Sequence, residues 1–171
     1  MNTTPYLSNS EISQIFEKYL KLRYKPVGMY FSSELPKGKL RYQHQLLYRC
    51  ITKHAFNASR FGGSSILQAD QGCVGGQWWA GFRKRAPKGL AIFLTKGRRG
   101  YFGGRGDRFK KDVRTAGGLF KEPGPVKHPV GTKYIIYQQL RKIPEDVKIE
   151  FILFFANPKE ISELVTLCNY A

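Results

Sequence analysis

Acidic residues are scarce: 12 Asp and Glu stand against 29 Lys and Arg, a formal net charge of +17. With acids so few and scattered, no paired-carboxylate site suggests itself, and no Ser–His–Asp arrangement stands out. Cysteine is scarce too. Three residues, an odd number without a C-x-x-C run, make no disulfide framework. They fit a reducing cytosol better than a secreted protein. The opening residues MNTTPYLSNSEISQ have no basic region leading into an apolar run, so no signal peptide is read there. The longest apolar run, Phe151 to Ala156, is far too short to span a bilayer. No repeat of fixed period is visible. These absences together predict a cytoplasmic protein that does not cross a membrane.

What is present is a basic, aromatic chain. The 171 residues suffice to bury a core, and they read as a single domain, 1–171. Aromatics make up 14% of the sequence, which argues against disorder of the whole. A surface of this charge attracts polyanions, acidic membranes or acidic ligands. The plain alternative is a solvated basic surface with no partner.

Local signals mark the elements. Ser8 followed by Glu11 is a capping box, and Ile12, Ile15, Phe16, Tyr19 and Leu20 recur at helical spacing. Pro26 closes that element, and Val27 to Phe31 reads as a short buried strand. Gly28 within it suggests close approach by a neighbour. A second helix is expected over roughly Tyr42 to Ser59, stopped by Gly62-Gly63-Ser64-Ser65. Gly89 to Leu94 is a strand candidate, weakly distinguished from buried helix. A helix is expected over Arg108 to Thr115, and Thr132 to Gln138 is rich in β-formers. Pro144-Glu145-Asp146 makes a turn, and Val147 to Phe155 reads as the central strand of a sheet. Pro158 then opens a helix over Lys159 to Leu167, with Ile161, Leu164, Val165 and Cys168 on one face. The fold class is α/β or α+β, a mixed sheet flanked by helices.

Chemistry-bearing residues gather in one stretch, Leu46 to Phe82. Cys73 lies beside Gly72, Gly75 and Gly76, just ahead of an expected helix. Backbone N–H groups at a helix start favour negative charge, whether a thiolate or a bound anion. Cys73 is therefore the candidate reactive residue. The plain alternative is a small buried cysteine in a tight turn. Cys50 and His54 stand at helical spacing like a metal-ligand pair, and Cys73 would supply a third ligand to a metal or iron–sulfur cluster. The apolar neighbours of Cys168 place it in the core. His44 and His128 are isolated and read as surface. Trp78 and Trp79 need a core or a flat ligand.

A glycine-rich basic loop, about 95–111, contains Arg98, Arg99 and Arg105 with Tyr101 and Phe102. Arginine suits phosphate oxygens, and aromatic rings suit flat bases. The loop matches neither the P-loop spacing nor a dinucleotide fingerprint. Its plain alternative is a solvated loop.

Several of these residues fall in a familiar order. Lys25-Pro26-Val27-Gly28-Met29-Tyr30-Phe31 comes first, then Cys50 ahead of Ala55. Gln71-Gly72-Cys73-Val74-Gly75-Gly76 follows with Ala80-Gly81-Phe82, and last an apolar strand ends in Asn157-Pro158 before Ile161 and Leu164. Over most of its length the chain resembles domain-of-unknown-function family 169, found in archaea and bacteria. The resemblance implies no particular activity. It does imply a further cysteine-bearing segment past the position of Ala171, which a partner chain or a second copy in a homo-oligomer would have to supply. The basic loop is unlike the usual member and suggests an added binding role.

Three functions remain open from sequence. The first is a cytosolic ligand- or cofactor-binding protein, enzyme or not. It would hold an anionic group between the Cys50 helix and the Gly72–Gly76 turn, with Cys73 at the ligand, Trp78 or Trp79 on its flat part and Arg98, Arg99 and Arg105 closing over it. Redox or metal-linked chemistry is a sub-case. The second is a nucleic-acid binder that uses the basic surface and the Gly97–Arg108 loop. The third is a partner-dependent structural subunit.

Overall fold

The computed structural model describes residues 7–36, 50–68, 72–96, 112–118, 120–121 and 126–170. Helix α1 (Asn9–Leu20) starts as its sequence dictates: the Ser8 hydroxyl accepts from the Glu11 N–H, and the Glu11 carboxylate accepts from the Ser8 N–H at 2.8 Å. The carboxylate of Glu145, in the Pro144 turn, accepts from the Asn9 N–H at 2.9 Å, adding a second anion at the positive end of the helix. Leu20 is buried, whereas Tyr19, expected on the same face, is 56% exposed. The helix ends at Lys21, a non-glycine residue in the left-handed region at φ 46°.

Among the described residues four strands make one sheet in the order β2-β3-β1-β4: β1 (Val27–Ser32), β2 (Ser65–Gln68), β3 (Tyr134–Gln139) and β4 (Phe151–Leu153). Every pairing is antiparallel, with Val27 opposite Gln139 on one side and opposite Leu153 on the other. With the helices this makes an α+β fold. Strand alternation sorts the core into two layers. Val27, Met29, Leu67, Ile135 and Tyr137 pack on one face against Ala55 and Ala58 of α2 (Ile51–Phe61). Tyr30, Ile66 and Ile136 pack on the other against Ile143, with Val147 and Ile149 alongside. Gly28 is bare because Ile143 crosses it: a Cβ there would stand 2.3 Å from Ile143 Cδ1.

Two expectations about elements are corrected, and one strand was not expected at all. The residues around Val147 to Phe155 do not form the central strand; only Phe151–Leu153 is β-structure, and it is an edge that pairs with β1 alone, Phe151 being 52% exposed. β1 and β3 take the centre, because their residues are covered on both faces. Gly89 to Leu94 is not a strand either. Leu90–Lys96 is helix α4, and its first residues follow a turn in which the Phe93 N–H reaches the Gly89 carbonyl at 2.8 Å. The helix of Val113–Gly118 (α5) packs against it, and helix–helix contact decides what a short apolar run left undecided. Finally, β2 had no sequence counterpart. The last helix, α6 (Pro158–Tyr170), begins at Pro158 as expected, but Ile161, Val165 and Cys168 on its apolar face are exposed.

Candidate functional site

Among the described residues α2 begins at Ile51, so Cys50 is its N-cap rather than a residue within it; residues 42–49 of the longer expected helix lie outside the described residues. Cys50 adopts extended backbone (φ −57°, ψ 139°), is exposed, and its Sγ lies 3.4 Å from the Thr52 hydroxyl. The extended backbone at Cys50 breaks the helical register that would have put it on the His54 face. His54 points into the protein instead and is fully buried. Its Nδ1 meets the Ser65 hydroxyl at 3.0 Å, while its Nε2 is buried without a hydrogen-bond partner among the described residues. Burial disfavours the charged imidazole and pushes its pKa down to about 4.

The His54 ring centroid lies 6.3 Å from that of Tyr137. The Tyr137 hydroxyl is pushed up to about 12, chiefly by burial, with negative charge at Cys50 adding to the shift. Cys50, though on the surface, therefore sits within electrostatic reach of a core phenol.

Cys73 is the N-cap of the short helix α3 (Val74–Trp79), in extended backbone at φ −76° and ψ 149°. Its Sγ accepts from the Gly76 N–H at 3.2 Å, and its carbonyl accepts from the Gln77 N–H at 2.9 Å. Helix geometry leaves the Val74 and Gly75 N–H groups without an intrahelical acceptor. The preceding Gly72, at φ 84°, supplies the left-handed corner that turns the chain into the helix.

The two glycines of α3 are bare for packing reasons. A Cβ on Gly76 would lie 2.7 Å from Ile51 Cγ2 and 3.0 Å from Cys73 Sγ, and one on Gly75 would lie 3.1 Å from Leu90 Cδ1. The first residue of α2 thus rests on the first turn of α3, directly beside the Cys73 sulfur. Two helix starts, each with a cysteine at its N-cap position, adjoin through Ile51 and Gly76.

Other expected site residues fare differently. Trp78 is 2% exposed and meets Trp79 and Phe120 edge-on at 4.6 Å and 5.2 Å, so it is a core ring; Trp79 is half-buried. Arg98, Arg99 and Arg105 lie outside the described residues, as does His44. His128 is not a surface residue: it is half-buried between Phe31 and Phe82, with ring centroids at 5.8 Å and 5.4 Å. Cys168, expected in the core, is exposed on α6. Among the described residues no group of three or more His, Cys, Asp or Glu side chains is placed to hold a metal ion, and the buried, Ser65-bound His54 does not join the exposed Cys50 in one.

Sequence reasoning missed two features. Ser65 had no local signal as the partner of a histidine in another element. The run Arg83-Lys84-Arg85 with Lys88, exposed just beyond α3, is legible in the sequence as a basic cluster smaller than the loop downstream.

Among the described residues the architecture is that of an α+β protein built on a four-stranded antiparallel sheet, with two adjoining helix starts that each carry a cysteine at the N-cap position. The chain belongs to domain-of-unknown-function family 169, described as an uncharacterised ArCR family, whose model matches residues 15–171. No curated protein and no solved structure matches it. Among the described residues no helix is long and apolar enough to cross a membrane.

Proposed function

We propose that this protein binds a small anionic ligand or cofactor where the starts of α2 and α3 meet, between Cys50 and Cys73. One observation carries the reading: the two helix N-termini adjoin through Ile51 and Gly76, with a thiol at each. Helix starts present unpaired N–H groups and partial positive charge, which suit a carboxylate or phosphate. The exposed Arg83, Lys84, Arg85 and Lys88 follow the far end of α3, and the whole chain carries +17, which draws anions to the molecule as a whole. Arg98, Arg99 and Arg105 would close over the ligand from the basic loop. A reactive group reaching the site meets the exposed Cys50 before the half-buried Cys73.

Thiol protection tests this reading. Iodoacetamide labelling, followed residue by residue by mass spectrometry, is run with and without inorganic phosphate and pyrophosphate. Occupancy should slow labelling of Cys50 and Cys73 and leave Cys168, exposed on α6, unchanged. Equal rates with and without the anions at Cys50 and Cys73 would overturn it.

The same exposed basic run supports a second reading, a nucleic-acid binder. It predicts binding of a single-stranded oligonucleotide that weakens steeply with salt and is lost on replacing Arg98, Arg99 and Arg105 by Ala. Binding retained after those changes counts against the loop as its carrier.

A further inference from the structure

A cleft of about 450 Å³ opens on a different part of the molecule, between the chain leading into β1 and the start of α6. Tyr24, Phe154 and Phe155 form its apolar lining, and Arg23 and Glu160 its charged groups. The rings are held by the core behind them. Tyr24 and Phe155 both pack edge-on to Phe56 of α2, at 5.2 Å and 5.3 Å, and Phe154 packs edge-on to Phe16 of α1 at 4.9 Å. The carboxylate is fixed too: Glu160 Oε2 accepts from the Asn157 N–H at 2.7 Å, while Asn157 Oδ1 accepts from the Glu160 N–H at 3.0 Å. This reciprocal cap holds the acid at the cleft and leaves its other oxygen uncommitted.

The charges are the informative part. Ion pairs among the described residues join Lys25 to Glu17, Lys148 to Glu150 and Lys159 to Glu163. Neither Arg23 nor Glu160 belongs to one, although both line the same cleft. The Arg23 guanidinium lies 5.3 Å from the centroid of the Tyr24 ring instead. A simple anion in the cleft would be drawn by Arg23 and repelled by Glu160, and a simple cation the reverse. A neutral apolar molecule would use neither charge: Arg23 is exposed and Glu160 partly buried, so both would simply keep their water. A molecule with an ammonium and a carboxylate on one carbon, and an apolar body beyond them, answers all three features.

We infer that this cleft is a binding site for a free amino acid with an aromatic or large aliphatic side chain. Arg23 takes its carboxylate, Glu160 its ammonium, and Tyr24, Phe154 and Phe155 its side chain. The cleft is shallow and open to solvent, so it would grip the charged end and one face of the side chain; fixed rings with a few placed polar groups are what small-molecule sites use. Aromatic rings beyond the charges favour phenylalanine-like side chains through edge-on contacts.

Calorimetric titration of the full chain tests it with L-phenylalanine, L-phenylalanine amide and 3-phenylpropanoate. The amide lacks the carboxylate and the propanoate lacks the ammonium. L-Phenylalanine should bind, with each analogue at least about tenfold weaker. Arg23→Gln should weaken L-phenylalanine about tenfold and leave the amide unchanged. Glu160→Gln keeps the helix cap, since glutamine serves there equally, and should weaken L-phenylalanine while sparing the propanoate. Analogues that bind as tightly as L-phenylalanine, variants that weaken all three probes alike, or no binding of L-phenylalanine at millimolar concentration would each overturn the proposal. Thiol labelling of Cys50 and Cys73 is independent of these outcomes, so the two sites succeed or fail separately.

Discussion

His54 of α2 and Ser65 of β2 meet at 3.0 Å between Nδ1 and Oγ, with exposures of 0% and 1%. The contact ties the helix bearing Cys50 to the sheet, so it fixes one wall of the Cys50–Cys73 corner. Burial of the same imidazole makes the fold sensitive to acid. In the unfolded chain His54 takes up a proton near pH 6.5, but in the fold only near pH 4. Between those values the unfolded form holds more protons, so stability rises with pH across the window and is lost as pH falls through it. At about 1.4 kcal/mol per pH unit the loss from this group is on the order of 3 kcal/mol. Urea unfolding at a series of pH values from 7 to 4 should show this slope, and His54→Gln should flatten it. An unchanged slope in the variant would assign the acid sensitivity to carboxylates instead.

Among the described glycines Gly81 is the least able to change. Its φ is +82°, and a Cβ there would lie 2.3 Å from the backbone carbonyl oxygen of Val126. Gly89 has a similar φ of +85° but open space around it. Gly89→Ala should therefore cost only the conformational penalty, about 1 kcal/mol. Gly81→Ala should cost upwards of about 4 kcal/mol, or leave no folded protein, because backbone must move as well. Thermal unfolding of the pair separates strain from collision; equal losses would mean that Val126 yields freely.

Gly28→Ala meets a side chain rather than backbone, the Cδ1 of Ile143 at 2.3 Å. The expected loss is about 1–3 kcal/mol from overpacking. Removing that methyl should give part of it back, so Gly28→Ala/Ile143→Val should be more stable than the sum of the two single changes. Denaturant midpoints for the four proteins of this cycle measure the coupling. Strict additivity would show that another neighbour is the obstacle.

Lys21 closes α1 at φ 46°, where a side chain is strained and glycine is not. Lys21→Gly should raise stability by about 0.5–1 kcal/mol, the relief being partly offset by the freer unfolded chain. An increase in the thermal midpoint is the readout. A decrease would mean that the exposed lysine makes a contact worth more than the strain.

The parts read correctly from sequence are those whose cause is local. Ser8 and Glu11 are three residues apart and satisfy one another whatever the rest of the chain does. Gly62 stops α2 because its φ of 74° suits glycine, and Cys73 caps α3 because its sulfur can reach the Gly76 N–H in the same turn. The errors have the opposite origin. Leu90 to Leu94 is a run too short for a period of 2 or 3.6 to declare itself, and contact with α5 made it helix. Phe151 to Phe155 is apolar enough for a sheet centre, yet β1 offers it only Val27 to Met29 as partners. Ser65, Ile66 and Leu67 became a strand because β3 lay open beside them, a fact distributed over some seventy intervening residues.

Charge, the small stock of cysteine, the caps and the glycine corners were written into the order of residues, since each acts over a turn or less. Which thiol faces water, which histidine is walled in, and whether Arg23 shares a cleft with Glu160 were settled only when distant segments packed. Burial and juxtaposition are properties of neighbours far along the chain. Nothing within reach of a single helical turn encodes them.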